Sequence, residues 1–338
     1  MLKLLLGLVV SAACLTVALW DIDFEAVRTS FARANYGTLP LFVLLVGLFF
    51  WVKAIRWKYL LRPLGRFHTR DVFPAMMIGF MGNNLLPARL GEFIRVYVLG
   101  RQFNLSKTAV LSTIVLERVF DIAAILLLFA IGLFGAEGMP TSYKTFCKAM
   151  TVGTGLGFLA LAVYVVWTDS LVRWIEATLK RLSFVPEKIR KGLTRMVAMG
   201  AQGVSSLKSP RLLVRLTLTS ILHWSFNVAC VYCALFSFGL TDQVEHPVLA
   251  SCVVLGTTAF GVTVPSTPGF FGVVQVCFWL SLRIFGVSKA DAFAASVYYH
   301  MAMYVPVTIT GLYFLNRLGL RLSGVEQESE ELADENAL

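Results

Sequence analysis

The sequence predicts an all-α polytopic membrane protein, and three observations support that fold class. Of the 338 residues, 57% are apolar and only 15% are charged, whereas soluble domains are about half apolar and about a quarter charged. The apolar residues also form long uncharged runs, such as 39–52 and 122–134. Finally, the length allows two soluble domains, but the polar residues are too few to cover their surfaces.

Apolar stretches of about 20 residues are long enough to cross a bilayer as helices. Six such stretches occur, and two further apolar regions are interrupted near their middles by Asn, Pro and Gly. We therefore expect six transmembrane helices plus two re-entrant helical hairpins, although the second hairpin is nearly long enough to span fully. The six spans are about 2–20, 39–56, 109–135, 149–168, 213–239 and 290–316, and the hairpins are 72–100 and 248–286.

The charges of the loops predict the orientation, because short cytoplasmic loops collect Lys and Arg. Segment 53–70 contains six basic residues and no acid, whereas 240–247 contains Asp242 and Glu245 and no base. The first loop is therefore predicted on the cytoplasmic side and the second outside, with both termini in the cytoplasm. The formal charge of +10 follows the same bias, and we expect no nucleic-acid binding since no basic soluble module is present.

The order of span, broken hairpin and span occurs twice, with opposite predicted orientations. In the first hairpin Gly91 follows Pro87 by four residues, and in the second Gly269 follows Pro265 by the same distance. Inverted repeats with interrupted helices are typical of transporters, whose site lies where the breaks meet near the bilayer midplane. The predicted repeats are about 39–135 and 213–316.

Two segments are not predicted to enter the membrane. Residues 169–210 alternate apolar and charged residues at helical spacing, which predicts two cytoplasmic amphipathic helices on the membrane surface. The alternative is a helical pair docked inside the protein. Residues 324–338 are acidic and contain no base, and we expect them to form a disordered tail. The rest, 1–323, is predicted to be a single integral membrane domain.

Six charged residues lie in the first broken hairpin and the span after it. An unpaired charge in hydrocarbon costs at least about 2.5 kcal/mol and therefore needs a partner or a water-filled cavity. We expect the arginines to hold a phosphate headgroup and the acids to orient them or to couple protons. The alternative is a set of internal salt bridges that only joins hairpin to span. The arginines are Arg89, Arg95 and Arg118, and the acids are Glu92, Glu117 and Asp121.

The two hairpin breaks are the expected gating elements. Asparagine side chains can satisfy backbone groups that a break exposes, prolines stop helices, and glycines permit tight backbone paths. These residues are Asn83, Asn84, Pro87 and Gly91 in the first hairpin, and Pro265, Pro268, Gly269 and Gly272 in the second.

His300 is a further headgroup candidate. It takes the position of Arg118 when Ser106 is aligned with Ser288, and histidine can bind phosphate or exchange protons. The alternative is a buried histidine that is hydrogen-bonded to Tyr299 or Tyr304.

The sequence contains no phosphate-binding loop, nucleophile elbow or metal-ligand motif. We therefore expect no cofactor, no metal and no enzymatic activity, and transport that is downhill or coupled to an ion or proton.

The motifs at 82–92 (GNNLLPARLGE) and 115–121 (VLERVFD) resemble those of the lysylphosphatidylglycerol synthase transmembrane-region, or flippase-like, integral membrane proteins. Segment 265–272 (PSTPGFFG) is similar to the second Pro-Gly signature of that family. The resemblance covers about residues 1–320. It implies a multi-pass protein of the bacterial or archaeal plasma (inner) membrane that moves polar lipids between leaflets, or is associated with moving them.

Bifunctional members of that family carry a soluble aminoacyl-transferase domain, for which this sequence has no counterpart after its last span. Other members act beside glycosyltransferases of lipid-linked sugar pathways. The sequence thus favours a lipid translocase for a phosphate-bearing polar lipid, with membrane lipids and a lipid-linked glycosyltransferase or lipid-modifying enzyme as partners. The alternative is an integral lipid-modifying transferase or a scaffold for such a glycosyltransferase.

Overall fold

A computed structural model describes residues 2–134, 152, 177, 209–263 and 266–337. All regular secondary structure in these residues is helical, which confirms the all-α prediction. The predicted span 149–168 and the predicted amphipathic pair 169–210 lie almost entirely outside the described residues, and so does Pro265.

The described residues form eleven α-helices in chain order, and the boundaries are close to those of the predicted spans. The helices are α1 (Leu2–Leu19), α2 (Phe24–Arg33), α3 (Leu39–Leu60), α4 (Thr69–Leu85), α5 (Gly91–Phe103), α6 (Lys107–Phe134), α7 (Pro210–Ser237), α8 (Pro247–Gly261), α9 (Val273–Leu282), α10 (Lys289–Arg317) and α11 (Leu322–Ala337).

By length and apolar composition, three described segments can each cross a membrane: Tyr36–Leu60, Arg211–Ser237 and Pro268–Phe285. A fourth span results if Gly7–Leu19 and Phe24–Arg33, which are bent by 84° relative to each other, cross together. Helices α6 and α10 have 28 and 29 residues. At about 1.5 Å per residue both exceed the roughly 30 Å thickness of a hydrocarbon core. The arrangement of six spans plus two re-entrant hairpins stays a prediction.

Both predicted interruptions are present. Helix α4 ends at Leu85 and α5 begins at Gly91, while α8 ends at Gly261 and α9 begins at Val273. The packing of the two halves corresponds: α3 packs against α7, α4 packs against α10, and α8 packs against α6. Exchange of the two predicted repeats maps the contact of α4 with α10 onto that of α8 with α6, and maps the contact of α3 with α7 onto itself. The inverted repeat itself stays a prediction.

The structure corrects the register between the hairpins. In the first break Pro87 starts a short 3-10 turn, and in the second break Pro268 starts one. Gly272, which is also four residues after its proline, therefore takes a position like that of Gly91, while the predicted counterpart of Pro87, Pro265, lies outside the described residues. The sequence could not decide this, because the second hairpin contains the same proline-to-glycine spacing twice.

The expectation of a disordered tail is wrong. Helix α11 begins at Leu322 and packs against α5. Val325, Ser329 and Leu332 are buried along one of its faces, at the spacing that a helix requires. The sequence gives little indication of this buried face, because the segment is acidic and the face contains only two large apolar residues.

We expect Gly91→Ala to lower the free energy of unfolding by about 1–3 kcal/mol, the usual cost of overpacking. A Cβ at this position would overlap the Gly79 carbonyl oxygen and would lie 2.5 Å from Asn83 Oδ1. Gly47→Ala is the matched control, because nothing lies within 4 Å of a Cβ there. Thermal unfolding of the purified protein in detergent measures both, and an unchanged Tm for Gly91→Ala would contradict this close packing of α4 on α5.

Candidate functional site

Two carboxylates on one face of α6 are the centre of a buried ion cluster. Lys53 Nζ lies 2.9 Å from Glu117 Oε1 and 3.0 Å from Asp121 Oδ2. Arg56 Nη2 lies 2.7 Å from Asp121 Oδ1, and Arg95 Nη2 lies 2.8 Å from Glu117 Oε2. All five side chains are at most 3% exposed. Three cations thus share two carboxylates in the protein interior.

Helix α7 completes the coordination of Asp121. Trp224 Nε1 donates a hydrogen bond of 2.9 Å to Asp121 Oδ1, and His223 Nε2 lies 3.3 Å from the same oxygen. Arg56 Nη1 also donates to Ser220 Oγ on α7, at 3.0 Å. The cluster therefore connects α3, α5, α6 and α7, which together contain residues from both halves of the chain.

Two members of this cluster are absent from the predicted site. Lys53 and Arg56 fall where the predicted span 39–56 and the basic segment 53–70 overlap, and both lie within α3, which continues to Leu60. The available signal was their spacing of three residues, which places both on one helix face, together with the apolar residues around them. Arg95, expected at a headgroup, instead lies with its Cζ 4.1 Å from the Trp57 ring centroid.

An open cavity of about 330 Å³ lies where the two hairpin breaks meet. We call it the outer cavity. Its charged lining residues come from the first hairpin and α6, and its other wall comes from the end of α8 and the second break. The residues that line it include Asn83, Asn84, Arg89, Glu92, Arg118, Asp121, Ile122, Trp224, Phe260 and Phe270.

Arg89 and Phe270 occupy equivalent positions in the two breaks, and they contact each other. Both have left-handed backbone conformations, with φ of 56° and 61°. Such conformations are unfavourable for residues other than glycine and persist where the surrounding structure imposes them. Arg89 Cζ lies 5.3 Å from the Phe270 ring centroid. The Arg89 guanidinium forms no ion pair or hydrogen bond with any described residue.

Arg118 is the second cation of the outer cavity. Its Nε lies 3.2 Å from Glu92 Oε1, and its Nη1 lies 3.7 Å from Asp121 Oδ2. The side chain of Arg118 is 38% exposed, so it points away from the buried face that Glu117 and Asp121 share. Guanidinium groups carry five donors, and these two contacts leave donors of Arg118 available to a ligand.

The residues of the breaks hold the backbone in place. Asn83 Oδ1 accepts a hydrogen bond of 2.9 Å from the Gly91 backbone N–H, as expected for an asparagine beside a break. Asn84 Nδ2 donates to Thr308 Oγ1 on α10 at 2.9 Å. In the second break, the Gly272 N–H donates to Gln275 Oε1 at 2.8 Å.

A smaller space of about 200 Å³, which we call the inner chamber, adjoins the outer cavity. His300 lines it, with Nε2 2.7 Å from the Gly269 carbonyl oxygen and Nδ1 3.3 Å from Gln275 Nε2. The expected tyrosine partners instead donate elsewhere: Tyr299 to Asn227 Oδ1 at 2.7 Å, and Tyr304 to the backbone of α4 at 3.4 Å.

Comparison with known proteins gives the family of this fold and site. The profile of the family described as "Lysylphosphatidylglycerol synthase TM region" matches residues 4–311. The chain belongs to this family. It is therefore an integral multi-pass membrane protein, as the sequence predicted.

Three similar proteins are archaeal. Glycosyltransferase AglD of Haloferax volcanii is 25% identical over 84% of this chain and 49% of its own length, so this chain spans about half of that protein. UPF0104 membrane protein MJ1078 of Methanocaldococcus jannaschii is 24% identical over 68% of this chain and 90% of its own length. UPF0104 membrane protein MJ1595 of the same organism is 24% identical over 77% of this chain and 78% of its own length.

These names correct one expectation. The sequence, which contains no catalytic motif, predicts no enzymatic activity. The family is named after a synthase and one relative is named a glycosyltransferase, and these names overturn that expectation. A motif describes only one particular constellation of residues, so its absence does not exclude an enzyme.

Glu117→Gln tests the buried cluster. The variant removes the charge that three cations contact, and an uncompensated buried charge costs about 3–5 kcal/mol. We expect a strongly lowered Tm in detergent. The control is Glu25→Gln, whose ion pair with Arg28 is exposed and should leave Tm unchanged. Similar effects of the two variants would show that the cluster does not stabilise the fold.

Proposed function

We propose that this protein binds the phosphate-bearing headgroup of a membrane lipid in the outer cavity and moves it between leaflets. The observation that carries the proposal is the position of Arg89, a cation without an ion partner among the described residues, at the meeting point of the two hairpin breaks. Arg118 lines the same cavity. Two guanidinium groups beside an open space suit a phosphate diester, which accepts forked hydrogen bonds.

The surrounding charges support an anionic ligand. Apart from His223, the charged groups of the cluster and the outer cavity are five Lys and Arg side chains and three carboxylates. The excess of cations favours a ligand with negative charge, because uncompensated charge in a low-dielectric interior is costly. The cations are Lys53, Arg56, Arg89, Arg95 and Arg118, and the carboxylates are Glu92, Glu117 and Asp121.

Apolar side chains with accessible surface also line the outer cavity. Ile122 and Phe260 line it and are 55% and 38% exposed. A headgroup can therefore occupy the polar interior while its acyl chains stay against apolar side chains. The volume of about 330 Å³ is at the lower end of common ligand pockets, which suits a headgroup and not a whole lipid.

Reconstitution into vesicles tests the proposal. The vesicles contain phosphatidylglycerol with a fluorophore on an acyl chain, and a reductant is added outside. We expect the protein to move labelled lipid from the inner leaflet to the outer leaflet, where the reductant bleaches it. Arg89→Gln and Arg118→Gln each remove a hydrogen bond to a charged group, worth about 1.5–3 kcal/mol, which corresponds to about a tenfold to hundredfold loss of headgroup affinity. Arg28→Gln is the control, because the Arg28 side chain on α2 is exposed.

A second candidate is an integral transferase that modifies such a lipid, or a scaffold for a transferase. The glycosyltransferase name of one relative favours it. The two candidates separate in the same vesicles supplied with an activated sugar donor. A covalent lipid product without movement between leaflets would support the transferase and reject the translocase, and movement that needs Arg89 without such a product would support the translocase.

The proposed orientation places the loop between α3 and α4 in the cytoplasm and the loop between α7 and α8 outside, with both termini cytoplasmic. Arg66 and Gln243 are exposed in these loops. In a chain without its six native cysteines, Gln243→Cys should react with a membrane-impermeant maleimide added to whole cells. Arg66→Cys should react only after the cells are opened. Labelling of both in whole cells would reject this topology.

A further inference from the structure

Three hydrogen bonds connect His300 and Gln275 to the backbone turn at 269–272 in the second break. The Gly272 N–H donates to Gln275 Oε1 at 2.8 Å, and Gln275 Nε2 lies 3.3 Å from His300 Nδ1. His300 Nε2 lies 2.7 Å from the Gly269 carbonyl oxygen. Gln275 and His300 are only 5% and 6% exposed, so bulk water is not at hand to replace these partners. We call this set of bonds the His300 chain.

The two backbone groups determine where the protons of the His300 chain lie. A backbone N–H can only donate, and a carbonyl oxygen can only accept. The Gly272 N–H therefore places Oε1 of Gln275 toward the backbone and its NH2 group toward the imidazole. The Gly269 carbonyl requires the proton of His300 on Nε2, so Nδ1 is the acceptor for Gln275. The imidazole is thus neutral and held in one tautomer.

A second proton on His300 is incompatible with this chain. The proton would be on Nδ1 and would face the NH2 group of Gln275 at 3.3 Å. Rotation of the Gln275 amide by half a turn would present an acceptor to Nδ1, but it would place the NH2 group against the Gly272 N–H. In either orientation two donors face each other, and a buried donor without an acceptor is unfavourable. Protonation of His300 therefore breaks the His300 chain.

The turn at 269–272 has a backbone conformation that depends on such contacts. Gly269, Phe270 and Gly272 have positive φ values of 76°, 61° and 84°. For Phe270 this conformation is unfavourable and persists where the surrounding structure imposes it. The His300 chain binds the backbone on both sides of Phe270, whose ring centroid lies 5.3 Å from Arg89 Cζ. Breaking the chain frees the turn and removes the constraint on Phe270 beside Arg89.

The groups that face His300 provide no negative charge for an imidazolium. None of the described residues that line the inner chamber is Asp, Glu, Lys or Arg, α3 and α9 contribute only apolar side chains to the lining, and α2 contributes none. The charges next to its walls are positive, since Lys53 Nζ lies 5.7 Å from the Phe80 ring centroid and Arg89 lies against Phe270. The polar or titratable residues that line the chamber with His300 are Asn84 of α4, Trp224 and Asn227 of α7, Thr258 of α8, and Tyr299 and Tyr304 of α10.

We infer that His300 and Gln275 are positioning residues that hold the turn at 269–272 beside Arg89 while His300 is neutral, and that protonation of His300 releases the turn. The step transfers one proton from water to Nδ1 and breaks no covalent bond. A phosphate at Arg89 offsets positive charge next to the chamber, so headgroup binding and protonation favour each other. This link to lipid movement rests on the proposed function, whereas the release of the turn does not.

Hydrogen–deuterium exchange of the purified full chain in detergent tests the inference, because the Gly272 N–H belongs to the His300 chain. Its protection factor, which corrects for the intrinsic pH dependence of exchange, measures how often the chain is broken. An imidazole in the released turn titrates near the ordinary value of about 6.5, and the intact chain excludes the second proton. Proton linkage therefore predicts that the protection factor of Gly272 falls about tenfold to thirtyfold from about pH 8 to about pH 5.

Two variants separate this role from a purely structural one. Gln275→Glu has nearly the same shape and places an acceptor toward Nδ1, so the pair holds the second proton while the Gly272 N–H keeps its acceptor. His300→Gln keeps a donor for the Gly269 carbonyl and has no titratable group. In both variants the protection factor should change less than about threefold over the same pH range. His246→Gln is the matched control, because it removes an exposed histidine outside the inner chamber, and it should retain the fall of the unmodified chain.

The vesicle assay connects the turn to transport. From about pH 8 to about pH 6, proton linkage predicts about fourfold more of the released state. Lipid movement by the unmodified chain should therefore accelerate several-fold over this range. Movement by Gln275→Glu and His300→Gln should be slower than that of the unmodified chain at about pH 6 and should not accelerate.

The outcomes separate the two proposals. An unchanged protection factor of Gly272, or an equal fall in the unmodified chain and both variants, would overturn the inference, while lipid movement that needs Arg89 would still support the proposed function. A fall that requires both His300 and Gln275 supports the inference even if no lipid moves, and in that case only the proposed function fails.

Discussion

The architecture depends on the ion cluster around Glu117 and Asp121. Burying these carboxylates is costly unless each is paired and hydrogen-bonded, and the structure meets that condition with three cations from α3 and α5 and an indole N–H from α7. The interaction therefore specifies the relative positions of four helices more strictly than apolar contact does, since dispersion and hydrophobic contacts have little directional preference.

The cluster also determines which charged side chains remain available to a ligand. Glu117 and Asp121 are four residues apart and share one helix face, so they occupy the interior, while Arg118 between them points into the outer cavity. Because the buried cations outnumber their carboxylates, Asp121 cannot neutralise Arg118 as well. The two hairpin breaks then bring Arg89 and Phe270 together at this positive site. The salt-bridge network and the cavity proposed to bind an anion are thus adjacent and share Asp121.

Much of this could be predicted from the sequence. The helical class, the breaks in both hairpins, the role of Asn83 at Gly91 and the shared face of Glu117 and Asp121 all follow from apolar runs, helix-breaking residues and helical spacing. The site was predicted less well. Arg95 is predicted at a headgroup and pairs with Glu117 instead. Lys53 is not among the predicted site residues, because charge counts do not show which basic residues at the end of a span lie inside the helix bundle.

The features that follow from the amino-acid sequence alone are local: which segments are helical, where they are interrupted and which residues share a face. These features depend on neighbours within about four positions along the chain. Three further features are visible only in the folded chain: which cations contact which carboxylates, that Pro268 starts a turn like that at Pro87, and that the acidic end of the chain forms a helix against α5. Each of these depends on contacts between residues that are distant in sequence, where several pairings satisfy the local rules equally well and burial selects among them.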